Sequence, residues 1–137
     1  MDAAALAASP FISLLAWSVM LLVFHVSLQG MMSTFELGAA WNAGPRDDER
    51  KPSGKLAGRA ERASGNFQET YPAFVGLALA LAIAGDPTGW GLTGAWLWFA
   101  FRIAYIPLYL AGVSYVRSLI WLGSLAGLLI MVSALVF

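Results

Sequence analysis

The sequence of 137 residues contains no cysteine and a single histidine, His25. Without cysteine, the chain can form no disulfide, no zinc–thiolate site and no thiol relay of its own. With one histidine, it cannot supply both ligands of a bis-histidine haem, and a two-histidine metal site would need a second chain. The sequence therefore predicts a protein without a metal centre.

Charged side chains are also scarce. They make up 12% of the chain, with eight basic and eight acidic residues, whereas about 25% is usual in a soluble domain. So few charges cannot cover a soluble surface of this size, and 59% of the residues are hydrophobic. The composition predicts one all-α membrane domain, residues 1–137, with lipid as its main solvent. The net charge of zero gives no basic field for nucleic acid.

Four apolar segments predict an up-down bundle of four transmembrane helices. A charged loop rich in Gly and Pro, residues 44–55, separates the first two segments. Lysine and arginine are confined to the first and third loops and to the helices, so the positive-inside rule places these loops in the cytoplasm and both termini outside. The predicted helices span about 10–35, 58–85, 92–113 and 117–137.

The second segment begins with the polar stretch ERASGNFQETYP, residues 61–72. The apolar run 70–85 has 16 residues, whereas a helix that crosses a bilayer needs about 20. The helix must therefore extend back through Glu69 and Asn66 to about Arg62. These three residues are spaced i, i+4 and i+7, which places them on one face of the helix.

The third segment carries a second polar stripe, in which Arg102, Tyr105 and Tyr109 are spaced i, i+3 and i+7. A charged residue near the bilayer centre costs about 2.5–3.5 kcal/mol, so Arg102 and Glu69 should face the protein interior. Their predicted depths differ by roughly 6 Å, a gap that long side chains can bridge, so the sequence allows an ion pair between them. One interpretation is a structural pair that fixes helix register. The other is a polar pocket for a small zwitterionic ligand, with arginines for carboxylates and Glu69 for an ammonium.

Other polar and aromatic residues give weaker predictions. Gln29 and Glu36 extend the first helix towards the cytoplasm, where they could join the pocket. His25 stands alone on an apolar helix and is expected to form a hydrogen bond within the bundle. The outer end of the third helix predicts an aromatic belt at the membrane interface. Its members are Trp90, Trp96 and Trp98.

These motifs resemble those of the MAPEG family, the membrane-associated proteins in eicosanoid and glutathione metabolism. The second segment fits ER-A-x-x-N-x-x-E-x-x-P, the third fits R-x-x-Y-x-x-x-Y in RIAYIPLYLAG, and the fourth begins with an arginine–serine pair in YVRSLIW. The loop GPRDDERKPSGKLAGRAER is similar to that of bacterial members. The matching residues are Glu61, Arg62, Ala63, Asn66, Glu69, Pro72, Arg102, Tyr105, Tyr109, Arg117 and Ser118.

The resemblance implies a homotrimer in a bacterial inner membrane, with glutathione bound as co-substrate between subunits at the cytoplasmic side. It implies a microsomal-type glutathione transferase, or a related glutathione peroxidase, acting on hydrophobic small molecules delivered from the bilayer. Arg117 would stabilise the glutathione thiolate, because a nearby guanidinium lowers a thiol pKa. The residues that would hold glutathione are Arg62, Asn66, Glu69, Arg102, Tyr105 and Tyr109.

Two other functions remain open at this stage. In the first, the chain is a non-catalytic MAPEG-like membrane subunit that packs in a larger complex, and the polar cluster is a structural network. In the second, the chain is a small four-span drug exporter. Such exporters typically carry a carboxylate in the first helix at mid-membrane depth, whereas this first helix is uncharged until Glu36.

Overall fold

The computed structural model describes residues 2–137, and every regular element in that range is a helix. Four long helices occupy the four predicted segments, and two short helices, α1 and α3, were not predicted. The second long helix begins three residues earlier than predicted, and the whole polar stretch 61–72 is helical, as expected. The elements are α1 (Ala3–Ala7), α2 (Pro10–Leu37), α3 (Ala39–Ala43), α4 (Lys55–Ala84), α5 (Trp90–Leu110) and α6 (Val116–Val136).

The chain is an integral membrane protein: three of its helices, α2, α4 and α6, are long and apolar enough to cross a bilayer. The fourth predicted crossing, α5, is 21 residues long but is not among them. Arg102 and the tryptophan and tyrosine residues of α5 lower its mean hydropathy. A crossing by α5 therefore stays a prediction, although 21 helical residues extend about 31 Å, close to the thickness of the hydrocarbon core.

The long helices begin and end at residues suited to those positions. Proline is the first residue of α2, where its missing N–H loses no intrahelical bond. Gly38 and Gly85 follow α2 and α4 with φ of 93° and 90°, a backbone conformation that favours glycine. The Glu36 carboxylate, from the end of α2, accepts hydrogen bonds from the Ser53 and Gly54 N–H groups at the start of α4. This carboxylate thus joins the end of α2 to the two residues that precede α4.

Replacing Glu36 with alanine should lower the midpoint of thermal unfolding in detergent, because the N–H groups of Ser53 and Gly54, just before α4, lose their acceptor. Glu36→Gln keeps one acceptor oxygen and should lose less. Asp47→Ala is the charge-matched control, since Asp47 is exposed in the first loop and its side chain accepts no hydrogen bond within residues 2–137. Equal effects of Glu36→Ala and Asp47→Ala would show that the contact of Glu36 with Ser53 and Gly54 contributes nothing specific to stability.

The two middle helices form the centre of the bundle. α2 packs mainly on α4, and α6 packs mainly on α5, while α4 and α5 contact each other and both outer helices. α5 and α6 approach closely at Gly94 and Gly127, where a Cβ on Gly127 would lie 2.6 Å from the Gly94 carbonyl oxygen. Such an approach is possible only between residues without side chains, a common feature of helix pairs in membranes.

Stacked aromatic rings fill the space between α2, α4 and α5. Trp98 lies 3.9 Å from Phe74, centroid to centroid, and is fully buried. The prediction that Trp98 belongs to an interfacial belt is therefore wrong, because its position on α5 faces the helix bundle. Trp90 and Trp96 lie on other faces and are 59% and 53% exposed.

His25 lies at one end of this aromatic stack and is almost completely buried. Its ring stacks on Phe67 with 4.7 Å between centroids. Its Nε2 atom has no hydrogen-bond partner among residues 2–137, so the hydrogen bond expected within the bundle is not found at this nitrogen. Ring stacking, rather than a hydrogen bond from Nε2, is the contact that the structure shows for this side chain.

Candidate functional site

A polar cleft of about 720 Å³ opens between α4, the end of α5 and the start of α6. It lies towards the end of the bundle where the charged first loop and the short 111–115 connection meet. Six of the seven residues predicted for the site line it, so the two polar stripes and the arginine at the start of α6 converge on one volume. The lining residues are Glu61, Arg62, Gly65, Asn66, Glu69, Tyr105, Tyr109 and Arg117.

One wall of the cleft is the polar face of α4. Arg62 and Glu69 are exposed on it, Asn66 is half-buried, and Gly65 leaves room between them because it has no side chain. The residues share this wall because helical positions three or four apart lie on the same face. A cation and a carboxylate therefore face the same open volume from one rigid helix.

Tyr109, from the last turn of α5, lies between two guanidinium groups. Arg62 Nε donates a hydrogen bond to the Tyr109 hydroxyl at 3.3 Å. The guanidinium carbon of Arg117 lies 4.6 Å from the centroid of the same ring, within the range of a cation–π contact. Tyr105 packs edge-on against this ring at 5.4 Å. Tyr109 thus contacts one guanidinium from α4 and one from α6, and this keeps both cations beside the cleft.

The guanidinium of Arg62 keeps most of its hydrogen-bonding capacity. An arginine side chain carries five N–H donors, and the contact with Tyr109 uses only the one on Nε. The other four make no hydrogen bond with any part of the chain that the structure describes. This side chain is exposed at the cleft and can therefore bind a carboxylate in the bidentate geometry that arginine favours.

Arg102 does not line the cleft. It is fully buried behind Asn66 and Tyr105, with its Nη1 donating to the Asn66 Oδ1 at 2.8 Å. Its guanidinium carbon lies 4.6 Å from the Tyr105 ring centroid and 5.5 Å from that of Phe67. Arg102 therefore contacts two residues of the cleft wall and fixes their positions, instead of reaching the cleft itself.

The predicted ion pair between Arg102 and Glu69 is not found. The ion pair within residues 2–137 joins Arg50 and Asp48, in the first loop. Asn66, one turn before Glu69 on α4, takes the buried guanidinium, while Glu69 is exposed on the cleft wall. The carboxylate of Glu69 therefore remains available to a ligand, and two nitrogen atoms of Arg102, Nε and Nη2, have no hydrogen-bond partner among the described residues.

Gln29 and Glu36 do not join the cleft. Gln29 lines a separate cavity beneath the first loop, and the Glu36 carboxylate binds the N–H groups of Ser53 and Gly54, just before α4. The predictions also omitted Glu61 and Gly65 as lining residues, although Glu61 and Gly65 are four residues apart on the polar face of α4 and helical spacing could have found them. The site therefore contains no residue of α2, and it includes Glu61 and Gly65 near the beginning of the polar face of α4.

A smaller cavity of about 230 Å³ adjoins the cleft along α6. It shares Asn66, Tyr105 and Arg117 with the cleft and adds Ser118 and Trp121. Trp121 follows Arg117 by four residues, so helical spacing could have predicted that both side chains line the same cavity. Arg117 consequently stands between a larger polar volume and a smaller one beside an indole ring.

The charges of the cleft suit a ligand that carries both signs. Arg62 and Arg117 offer guanidinium groups to anionic parts of a ligand, and the exposed Glu69 offers a carboxylate to an ammonium. Asn66 and the two tyrosines supply neutral hydrogen-bonding groups between them. The volume lies within the usual range for small-molecule sites, about 300–1,000 Å³.

The fold and the cleft define an all-helical integral membrane protein with a polar site built from three helices. The model of the MAPEG family matches residues 14–137, and the chain belongs to the MAPEG family. The resemblance seen in the sequence is thereby confirmed for all four long helices, apart from the first residues of α2. No curated protein and no solved structure gives a significant match.

Proposed function

We propose that this protein is a membrane-bound glutathione transferase, which binds glutathione as its co-substrate in the cleft and conjugates it to hydrophobic electrophiles. The observation that carries the proposal is the convergence of Arg62, Arg117 and an unpaired Glu69 on one open volume of about 720 Å³. Membership of the MAPEG family supports a function of this class.

The chemical groups of glutathione complement those of the cleft. Glutathione carries two carboxylates, one ammonium, two amide groups and a thiol. Arg62, with its unused N–H donors, would bind a carboxylate, and Glu69 would bind the ammonium. Asn66, Tyr105 and Tyr109 would fix the amide backbone. Arg102 would act through Asn66 and Tyr105, because it contacts both and does not reach the cleft.

The proposed chemistry needs a thiolate, and the chain has no cysteine to supply one. Arg117 lies between the cleft and the adjoining cavity beside Trp121. A guanidinium close to the glutathione sulfur would favour the charged form and lower the thiol pKa. The thiolate would then attack the electrophilic carbon of a hydrophobic substrate, forming a C–S bond as the leaving group departs. If the protein acts as a glutathione peroxidase, the thiolate would attack a hydroperoxide oxygen, the O–O bond would break, and the alcohol would leave. A second glutathione would then convert the resulting sulfenic acid to glutathione disulfide and water.

The proposed assembly is a homotrimer of up-down four-helix subunits in a bacterial inner membrane, with the first and third loops in the cytoplasm. The cleft is open on the single chain, which leaves room for a neighbouring subunit to complete it. Large apolar side chains are exposed along α2 and α6, and they must contact either lipid or another subunit. Because α5 packs between α2, α4 and α6, it could cross the bilayer despite its lower hydropathy.

A glutathione titration tests the proposal directly. Purified protein in detergent should give a saturable increase in the ultraviolet absorbance of the thiolate as glutathione is added. Arg62→Ala and Glu69→Ala should each weaken the apparent affinity by about tenfold or more, because each removes a charge-assisted contact. Lys55→Ala is the matched control, since Lys55 is an exposed cation on α4 that lies outside the cleft. No saturation at millimolar glutathione would refute the proposal.

A second candidate function is a non-catalytic membrane subunit that packs in a larger complex. It is favoured by the hydrogen bond from Arg102 to Asn66 and by the contact of Arg62 with Tyr109, which join α4 to α5 without any ligand. In that case the polar groups only fix the helix positions. Glutathione would then produce no saturable signal, and substitution of Arg62 would lower thermal stability instead.

A further inference from the structure

The separate cavity beneath the first loop has a volume of about 380 Å³ and lies between the last turns of α2, the short helix α3 and α4. Three cationic side chains line it, from Arg46, Arg50 and Lys51, against one carboxylate, from Glu61. Glu61 also lines the cleft, so the two cavities occupy neighbouring faces of α4. The excess of positive charge makes this cavity suited to an anion.

Arg46 is held in place before any ligand binds. Its Nη2 donates to the Asn42 side-chain oxygen at 2.6 Å and to the Asn42 carbonyl oxygen at 3.2 Å. Its guanidinium carbon lies 4.4 Å from the ring centroid of Trp41, which lines the same cavity. The backbone of Arg46 has φ of 61°, a conformation rare for residues other than glycine and often retained at ligand sites. A cation with restricted freedom binds an anion with a smaller loss of entropy.

The other two cations are available to a ligand. Arg50 pairs with Asp48 at 2.6 Å, but both side chains are about half exposed, and such surface pairs are weak enough to exchange partners. Lys51 is exposed and makes no hydrogen bond or ion pair within residues 2–137. Two guanidiniums and an ammonium around one cavity form the kind of site that binds a phosphate group.

The surroundings of the cavity indicate that the phosphate belongs to a lipid. The cavity lies at the ends of two candidate membrane spans, α2 and α4, where the headgroups of a bilayer lie. Its wall on α2 includes Val26, which is 51% exposed, so the polar cavity continues into an apolar helix surface. A phospholipid can place its phosphate among the cations and its acyl chains along α2. Basic pockets between helices at the cytoplasmic side are a known form of lipid site.

We propose that the cavity beneath the first loop binds the headgroup phosphate of an anionic phospholipid, with Arg46 and Lys51 as its main contacts. This site is separate from the glutathione cleft, and it does not depend on the protein being a transferase. Inorganic phosphate has the same charged group but lacks the acyl chains. The lipid and the free anion can therefore be distinguished by experiment.

The test uses the full chain in an uncharged detergent and measures thermal unfolding while phosphatidylglycerol is added. Phosphatidylglycerol should raise the unfolding midpoint in a saturable way, whereas the zwitterionic phosphatidylcholine and inorganic phosphate should raise it little. The double variant Arg46→Gln, Lys51→Gln should need at least about tenfold more phosphatidylglycerol for the same shift of the unfolding midpoint. Each cation near a membrane surface contributes to anionic lipid binding. Native mass spectrometry of retained lipid provides a second measurement on the same samples.

Two further variants distinguish lipid binding at this specific site from nonspecific attraction of the lipid to surface charge. Lys55→Gln removes a cation just after the first loop and outside the cavity, and it should leave the lipid response within about twofold of the wild type. Asn42→Ala changes no charge but releases Arg46, and it should weaken the response. The proposal fails if the double variant responds like the wild type, if Lys55→Gln weakens binding equally, or if inorganic phosphate produces the whole effect.

Discussion

Replacing Arg117 with alanine is expected to leave glutathione binding close to the wild-type level while removing the thiolate signal. Arg117 lies between the cleft and its adjoining cavity, and its guanidinium packs on Tyr109. The charged contacts proposed for the body of glutathione come from α4 and would be retained. An opposite charge within about 4–6 Å changes an ionisation constant roughly ten- to a thousandfold. A thiol with an ordinary pKa near 8.5 is only about 3% ionised at pH 7, so the thiolate absorbance at that pH should fall about ten- to thirtyfold.

The measurement separates binding from activation by following both on one sample. Isothermal calorimetry reports the affinity for glutathione, and the ultraviolet absorbance reports its ionisation as pH is varied. In Arg117→Ala the absorbance should reappear only at higher pH, because the bound thiol would titrate near its ordinary pKa. Arg117→Lys restores a cation without the planar guanidinium and should recover part of the signal. If affinity and thiolate fall together in Arg117→Ala, Arg117 is a binding residue and not the activator.

The polar face of α4 was predictable from the sequence because two local constraints combine there. The apolar run 70–85 is too short to cross a bilayer alone, and the spacing of Arg62, Asn66 and Glu69 allows one helical face. In the structure all three line the cleft. Both constraints depend on residues within a few turns of each other, which is the range over which a sequence pattern determines local geometry.

The role of Arg102 could not be predicted in the same way. Its spacing from Tyr105 and Tyr109 is correct for one stripe, yet Arg102 is fully buried while Tyr109 is half-buried at the cleft. Periodicity gives the direction of a side chain but not its depth relative to a neighbouring helix. Only the packing of α5 on α4 decides that Asn66, and not Glu69, receives the Arg102 guanidinium.

Two other corrections have the same physical origin. Trp98 was placed in an interfacial belt because of its position along the helix, but its direction is set by stacking on Phe74 of α4. Glu36 was a candidate for the site, but it binds the N–H groups of Ser53 and Gly54, 17 and 18 residues away. Contacts between distant segments depend on how the helices assemble, and a single sequence does not give that assembly.

The packing of α5 on α6 leads to the prediction with the largest expected effect on stability. Gly127→Ala should lower the free energy of unfolding by about 1–3 kcal/mol, the usual loss when an overpacked contact forces the backbone to move. The added Cβ would lie 2.6 Å from the Gly94 carbonyl oxygen and 2.8 Å from the Trp98 nitrogen, both backbone atoms with no rotamer to relieve the contact.

Gly76→Ala is the matched control, since Gly76 is an exposed glycine of α4 whose added Cβ would meet nothing within 4 Å. Alanine favours a helix over glycine by about 1 kcal/mol, so this variant should be neutral or more stable. The same chemical change should therefore have opposite signs at the two positions, measured by denaturant or thermal unfolding in detergent. Because α5 carries Tyr105 and Tyr109 and α6 carries Arg117, moving these helices apart should also weaken glutathione binding in Gly127→Ala. Stability equal to that of Gly76→Ala would mean that α5 and α6 do not approach this closely in the membrane.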